Sequence, residues 1–406
     1  MKWAFAVLAI CMVAASSAVA GPAATARELT VYAPEFKDMK DPATGADLRF
    51  ITTDAGKDNN LYFHQRSWFS DGSVILFISD RPGGGVMGYL TETGEIIAFD
   101  PELGNVCTTA AVDHPALFMV RKGGVVVEIT LDIRPSAAPD KERSKVTAHE
   151  RVLCTLPAAT GSFEINENCN GKTLAIGNTA WTHMKGPGIV LVNEKSGKIR
   201  DLCAIDPELQ YGGHVQFSHT DPHKLSFAAV KSRLWVVDTR EGKPVNVYHE
   251  WPGELVTHEE WWVDDQILFC GGTHPMPTQD PSVKVLNPRT GEVRIIGAGA
   301  WWEGATAPEL AKVNWWHSDG SDDGRWVVAD NWHGDIRLWE GTTTRPRPLT
   351  YGHRTYGKGD HPHVGFDRAG KQVIFTSHLL GDPNVCVATI PQEWQEANPG
   401  PATGKK

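Results

Sequence analysis

Val74-Ile75-Leu76-Phe77-Ile78 is a short run rich in β-branched and aromatic side chains, the composition of a β-strand. It is not alone. Runs of the same kind follow at Leu117-Phe118-Met119-Val120, Thr173-Leu174-Ala175-Ile176, Leu225-Ser226-Phe227-Ala228, Ile267-Leu268-Phe269-Cys270, Trp326-Val327-Val328-Ala329 and Val373-Ile374-Phe375-Thr376. Successive starts lie between 42 and 59 residues apart, a period that marks a repeat architecture rather than a series of separate domains. Most copies lead into a second strand and a hairpin turn, as in Gly88-Tyr89-Leu90 before Thr93-Gly94-Glu95 and Val283-Lys284-Val285-Leu286 before Thr290-Gly291-Glu292. A small twisted sheet of four strands cannot bury both of its faces alone, and radial packing of seven such sheets around an axis solves that problem. No long amphipathic helical pattern interrupts the series. The expected fold is therefore all-β: a seven-bladed β-propeller of four-stranded antiparallel blades.

The remaining segments take their places around this ring. Residues 1–20 have the form of a signal peptide, with Lys2, an apolar run from Ala4 to Ala15, and Ala18-Val19-Ala20 before Gly21. That predicts a periplasmic or secreted protein with no membrane association once the signal is removed. Residues 21–52 form a leader that packs on the disc or closes the ring, residues 53–397 form the propeller, and residues 398–406 form a flexible tail. Six cysteines lie beyond the signal, none in a Cys-x-x-Cys pair. Most sit in apolar runs and are read as small buried side chains, with Cys154 and Cys169 the first pair to test for a disulfide. The formal charge of −10 argues against a nucleic-acid partner, which needs a concentrated basic face. It leaves room for an anionic sugar at a local positive site.

The innermost strand of a propeller blade precedes the repeated run, and its beginning faces the axial channel. Histidines recur at that position. His64 precedes its run by 10 residues, His214 by 11, His258 by 9, His317 by 9, and His361 and His363 by 12 and 10. Five of the seven blades thus aim an imidazole at one place. In His361-Pro362-His363 the alternate residues of an extended strand share a face and can hold one metal; the bland alternative turns one of them outward. Imidazole ligands suit manganese, zinc, iron or nickel. The remaining histidines, His353 among them, lack the register and are read as surface or loop residues. The double tryptophans Trp261-Trp262, Trp301-Trp302 and Trp315-Trp316 serve either to stack on sugar rings or to pack between blades. Asp319-Gly320-Ser321-Asp322-Asp323-Gly324 imitates part of a calcium loop but lacks the distal glutamate, and is read as a hairpin turn.

Over nearly its whole length the chain resembles the oligogalacturonate lyases, polysaccharide lyases built as seven-bladed propellers with a manganese site at the channel. The resemblance is carried by Asn60-Leu61-Tyr62-Phe63 with Leu76-Phe77-Ile78-Ser79-Asp80-Arg81, by His214-Val215-Gln216-Phe217-Ser218, by Arg233-Leu234-Trp235, by Thr257-His258-Glu259, by His317-Ser318, and by His361-Pro362-His363. It implies a catalytic base at His258 that removes the C5 proton of a uronate, and Arg233 on the leaving oxygen. It also implies metal ligands at His317, His361 and His363, and a divalent metal, manganese first, as cofactor. His214, His64 and Arg81 become substrate-binding candidates, and an acidic oligosaccharide becomes the expected substrate. One position departs from the family: a metal-binding glutamine three residues before the His-Pro-His pair is here Lys358. A protonated lysine cannot ligate a cation. Either Asp360, a water or another residue completes the metal shell, or Lys358 itself binds the substrate carboxylate. A non-catalytic envelope propeller that binds a glycan or a protein is the alternative from a different functional class.

Overall fold

The computed structural model describes residues 25–100, 107–273, 279–300, 302–354 and 360–398. The signal-peptide expectation and Lys358 lie outside these residues. The described residues form seven antiparallel sheets arranged as the blades of a propeller. Each of the seven repeated runs becomes the second strand of its sheet: Val74–Ser79, Ala116–Arg121, Thr173–Trp181, Lys224–Ala229, Ile267–Thr273, Trp326–Asp330 and Gln372–Ser377.

Their apolar character follows from the packing. Alternate residues of a strand point to opposite faces, so Val74 and Leu76 enter the cluster shared with the second blade while Ile75 and Phe77 enter the cluster shared with the seventh. The core is accordingly divided into seven clusters, one in each cleft between neighbouring blades. Tryptophans staple these clefts. Trp261 donates its indole N–H to the Gln216 carbonyl of the blade before it (3.1 Å) and Trp262 to the Ser321 carbonyl of the blade after it (3.1 Å). Trp261, Trp262, Trp315 and Trp316 are all buried, so inter-blade packing, not sugar stacking, explains the first pair.

Three sheets have five strands rather than four, and the N-terminal segment supplies the difference. Thr30–Tyr32 pairs with the outer strand of the first blade and Thr25–Glu28 with that of the second. Asp47–Phe50 pairs with Asn384–Thr389, where it stands as the fourth strand of the last blade, and Lys37–Lys40 is added outside it. A chain-terminal strand joined to the last blade converts an open arc into a closed ring and removes two exposed edges. At the other end Asn398, assigned to the flexible tail by sequence, is buried and donates to the Arg325 carbonyl at 2.8 Å. All six cysteines are free, including Cys154 and Cys169.

Phe50 sits in the closing strand with no exposed surface, in the cluster between the sixth and seventh blades. Phe50→Ala is expected to destabilise the fold by about 3–5 kcal/mol, measured as a drop in the urea unfolding midpoint. A change no larger than that of an exposed substitution in the same strand would mean that the strand does not hold the ring shut.

Candidate active site

Five blades deliver histidines to one end of the channel: His214 and His258 from within their inner strands, His317, His361 and His363 from just before theirs, and His64 from the turn after Asp58–Asn60. In Tyr211–Phe217 the pairing steps from Gly213–Ala228 to Gln216–Ser226, and in Glu254–Trp261 from Thr257–Cys270 to Glu260–Leu268. Each step inserts one extra residue, a β-bulge that re-aims a side chain. His214 and His258 occupy the bulges with φ of 59° and 53°, and His363 has φ of 49°. Left-handed backbone at a residue other than glycine costs about 1–3 kcal/mol and persists where the surroundings fix it.

The result is a ring of imidazoles. His64 and His214 have centroids 5.3 Å apart, His214 and His258 6.2 Å, His258 and His317 4.1 Å, and His317 lies 4.6 Å from His363 and 5.4 Å from His361. Tyr62 closes the circuit at 4.7 Å from His363 and 5.0 Å from His64. Phe63 forms the floor, its ring 5.3 to 5.9 Å from those of His64, His214, His258 and His317. Trp316 and Trp332 make the wall beside His258 and His361.

Buried charge in this ring is paired. Glu259, only 1 % exposed, accepts from Arg233 Nε at 2.8 Å and meets His214 Nδ1 at 2.9 Å. Burial opposes its charge, but Arg233 and His214 outweigh burial and hold its pKa down to about 2. His214 is anchored further by the Tyr62 hydroxyl, 3.3 Å from its Nε2. Burial, and then the neighbouring imidazoles, keep His258, His317 and His363 well below the usual histidine range, so these rings stay neutral with lone pairs available.

His317, His361 and His363 present ring nitrogens that all lie within 4.8 Å of one another. His317 Nε2 is buried without a hydrogen-bond partner among the described residues, while Nδ1 of the same ring lies 3.0 Å from both oxygens of Asp330. A carboxylate behind one ring nitrogen with the other left unsatisfied is the arrangement of a metal-ligating histidine. The three residues therefore fit a divalent metal. Burial pushes the Asp330 carboxyl up to about 7 and holds the His317 imidazole well below its ordinary value, so both are drawn toward neutrality. Asp360, open at the sequence level as a further ligand, stands outside the three and faces His378 at 3.5 Å.

Among the other candidates, His64 is buried in the ring, and Arg233 is held at its edge by Glu259 and His214. Arg81 is not part of it. Its guanidinium, 6 % exposed, is caged by Glu35 at 2.9 Å, Asp58 at 2.6 Å and Asp54 at 3.5 Å, so its donors are committed to structure. His353 is not at the surface either: it is fully buried between Thr350 and Ser377. Sequence reasoning passed over Glu259 and Asp330. Antiparallel pairing of Ser318 with Ala329 puts residue 317 opposite residue 330, so the register would have revealed Asp330. Glu259 needed the bulge.

Fold and site together define a seven-bladed propeller whose channel opens at one end into a histidine-lined, metal-competent pocket. No family model matches the chain. It is similar to proteins named as oligogalacturonate lyases: 23 % identical to an oligogalacturonide lyase of Pectobacterium atrosepticum, over 88 % of this chain and 96 % of that protein. Against an oligogalacturonate lyase of Dickeya dadantii it is 22 % identical, over 89 % and 97 %. Two solved structures share the fold. An oligogalacturonate lyase from Vibrio parahaemolyticus matches with a TM-score of 0.68 at 18 % identity, over 91 % of this chain and 100 % of that one. An oligogalacturonate lyase in complex with manganese matches with 0.67 at 20 % identity, over 91 % and 99 %.

Two outcomes are expected. Asp330→Asn should weaken divalent-metal binding by about 10–100-fold in equilibrium dialysis, because loss of a carboxylate behind a ligating histidine has that effect. Unchanged affinity would remove Asp330 from the metal centre. Glu259→Ala leaves Arg233 buried without its partner and should cost about 3–5 kcal/mol in chemical denaturation. In the unsubstituted protein the depressed pKa of Glu259 gives stability that is present above the ordinary carboxylate range and lost as pH falls toward about 2.

Proposed function

We propose that this protein is an exported lyase that cleaves short uronate-containing oligosaccharides, oligogalacturonides foremost, by β-elimination assisted by a divalent metal, manganese first. The observation that carries this reading is the position of His258 directly against the three-histidine group, its ring centroid 4.1 Å from that of His317. The curated relatives named for oligogalacturonides support the substrate class. The first twenty residues support export.

In this scheme His317, His361 and His363 would hold a divalent ion, which would supply Lewis-acid stabilisation of the charge that develops when C5 is deprotonated. His258 takes the C5 proton. The Thr257 hydroxyl lies 3.1 Å from His258 Nδ1, which leaves Nε2 as the nitrogen that receives it. The electron pair of the C5–H bond becomes the C4–C5 double bond, the C4–O4 bond breaks, and the leaving oxygen takes its final proton from water. Arg233, held edge-on by Glu259, stabilises that oxygen electrostatically, since a guanidinium is a poor proton donor. His214 and His64 line the sugar pocket. Phe63 and Trp316 keep water from the base.

The test is to incubate the purified, manganese-loaded protein with oligogalacturonides and follow the ultraviolet absorbance of the unsaturated product. His258→Ala should lower kcat by about 10²–10⁴-fold, the ordinary contribution of a positioned general base. Binding without any absorbance change across several uronate oligosaccharides would reject the lyase and leave a glycan-binding propeller. A product heavier by one water would make it a hydrolase.

A further inference from the structure

The inner strands begin at the histidine end of the channel, so the hairpins joining first to second and third to fourth strands emerge on the opposite face of the disc. Between the third and fourth blades those hairpins enclose a groove of about 430 Å³, a volume suited to a small oligosaccharide. Its lining is cationic. Lys172, Lys198 and Arg200 come from the third blade and Arg240 from the fourth, and no aspartate or glutamate lines the groove. That is unexpected for a chain of net charge −10. Arg240 is neutralised by Asp238 at 2.5 Å. Among the described residues no carboxylate lies within ion-pair reach of Lys172, Lys198 or Arg200.

The groove is also built rather than incidental. Buried Asn168 donates to the Pro222 carbonyl across the blade boundary (3.3 Å) and accepts from the backbone N–H groups of Lys172 and Thr173, fixing the hairpin that carries Lys172. Arg200 is positioned by its bond to the Thr239 carbonyl of the neighbouring blade. Leu191 and Pro222 give an apolar base, and the exposed Asn170 and Asn193 stand at the rim. Spaced single cations, amides and an apolar base suit a chain of sugar rings carrying one carboxylate each better than the dense charge of a phosphate polymer.

We propose that this groove is a second binding site for acidic oligosaccharide, on the face opposite the histidines, with Lys172, Lys198 and Arg200 holding sugar carboxylates and Asn170 and Asn193 the hydroxyls. It takes from the proposed function only the kind of sugar. Its role is to retain long acidic chains near the channel without taking part in bond breaking.

The test is calorimetric titration of hexagalacturonate into the full-length protein in a His258→Ala background with chelator, which silences turnover. Charge reversal by Lys172→Glu with Lys198→Glu, both in exposed hairpins, should weaken this binding by about tenfold or more at low salt, and raised salt should do the same to the parent. Neutral maltohexaose should not bind there. Digalacturonide turnover by the otherwise native protein should be unchanged by the double reversal. Equal hexagalacturonate affinity in parent and double variant overturns the proposal, as does equal affinity for inorganic polyphosphate, which would make the groove a general anion surface. Charge-dependent hexagalacturonate binding in a protein without lyase turnover would refute the catalytic scheme and leave the groove standing.

Discussion

A blade of this protein has no solvent face. Its second strand contributes residues to clusters on both sides, and each cluster is completed only by the next blade. No sheet can bury its apolar surface until its neighbours are in place, and the last blade gains its fourth strand only when Asp47–Phe50 joins Asn384–Thr389. This mutual dependence is what makes the channel rigid. Rigidity in turn allows the innermost strands to carry left-handed histidines and β-bulges that an isolated hairpin would relax.

The site uses that rigidity in two different ways. On one side, Glu259 and Arg233 form a charged pair with His214 beside it, and the carboxylate stays ionised in spite of its burial. On the other side, His317, His361 and His363 remain neutral, with one nitrogen of His317 unsatisfied and the other backed by Asp330. His258 stands between the two groups, close to both, with the Thr257 hydroxyl 3.1 Å from its Nδ1. A charged anchor and a neutral donor set thus sit a few ångströms apart over the apolar floor of Phe63, where low polarity strengthens both.

Much of this was legible in the sequence because repetition reports topology. The seven apolar runs fall on equivalent second strands, and counting back from them located the histidines that meet in the channel. Features set by register or by single residues were not legible. The fifth strands come from an N-terminal segment too polar and too short to show strand alternation, as in Lys37-Asp38-Met39-Lys40. Glu259 faces Arg233 only because the bulge at His258 turns it there. Arg81 was drawn into the site by its place in a family-like string, whereas the carboxylates that cage it, Glu35, Asp54 and Asp58, lie 23 to 46 residues before it with no local signal.

The joint between the two chain ends has a further meaning for how the molecule is made. Thr52 and Asn384, bonded across that joint, are separated by 332 positions, so the latch is a strongly non-local contact. During synthesis the first strands leave the ribosome long before their partner exists, and the growing arc presents an unpaired edge throughout that interval. Maturation is thus timed by the arrival of the last blade, and protection of the waiting edge becomes a requirement of biogenesis.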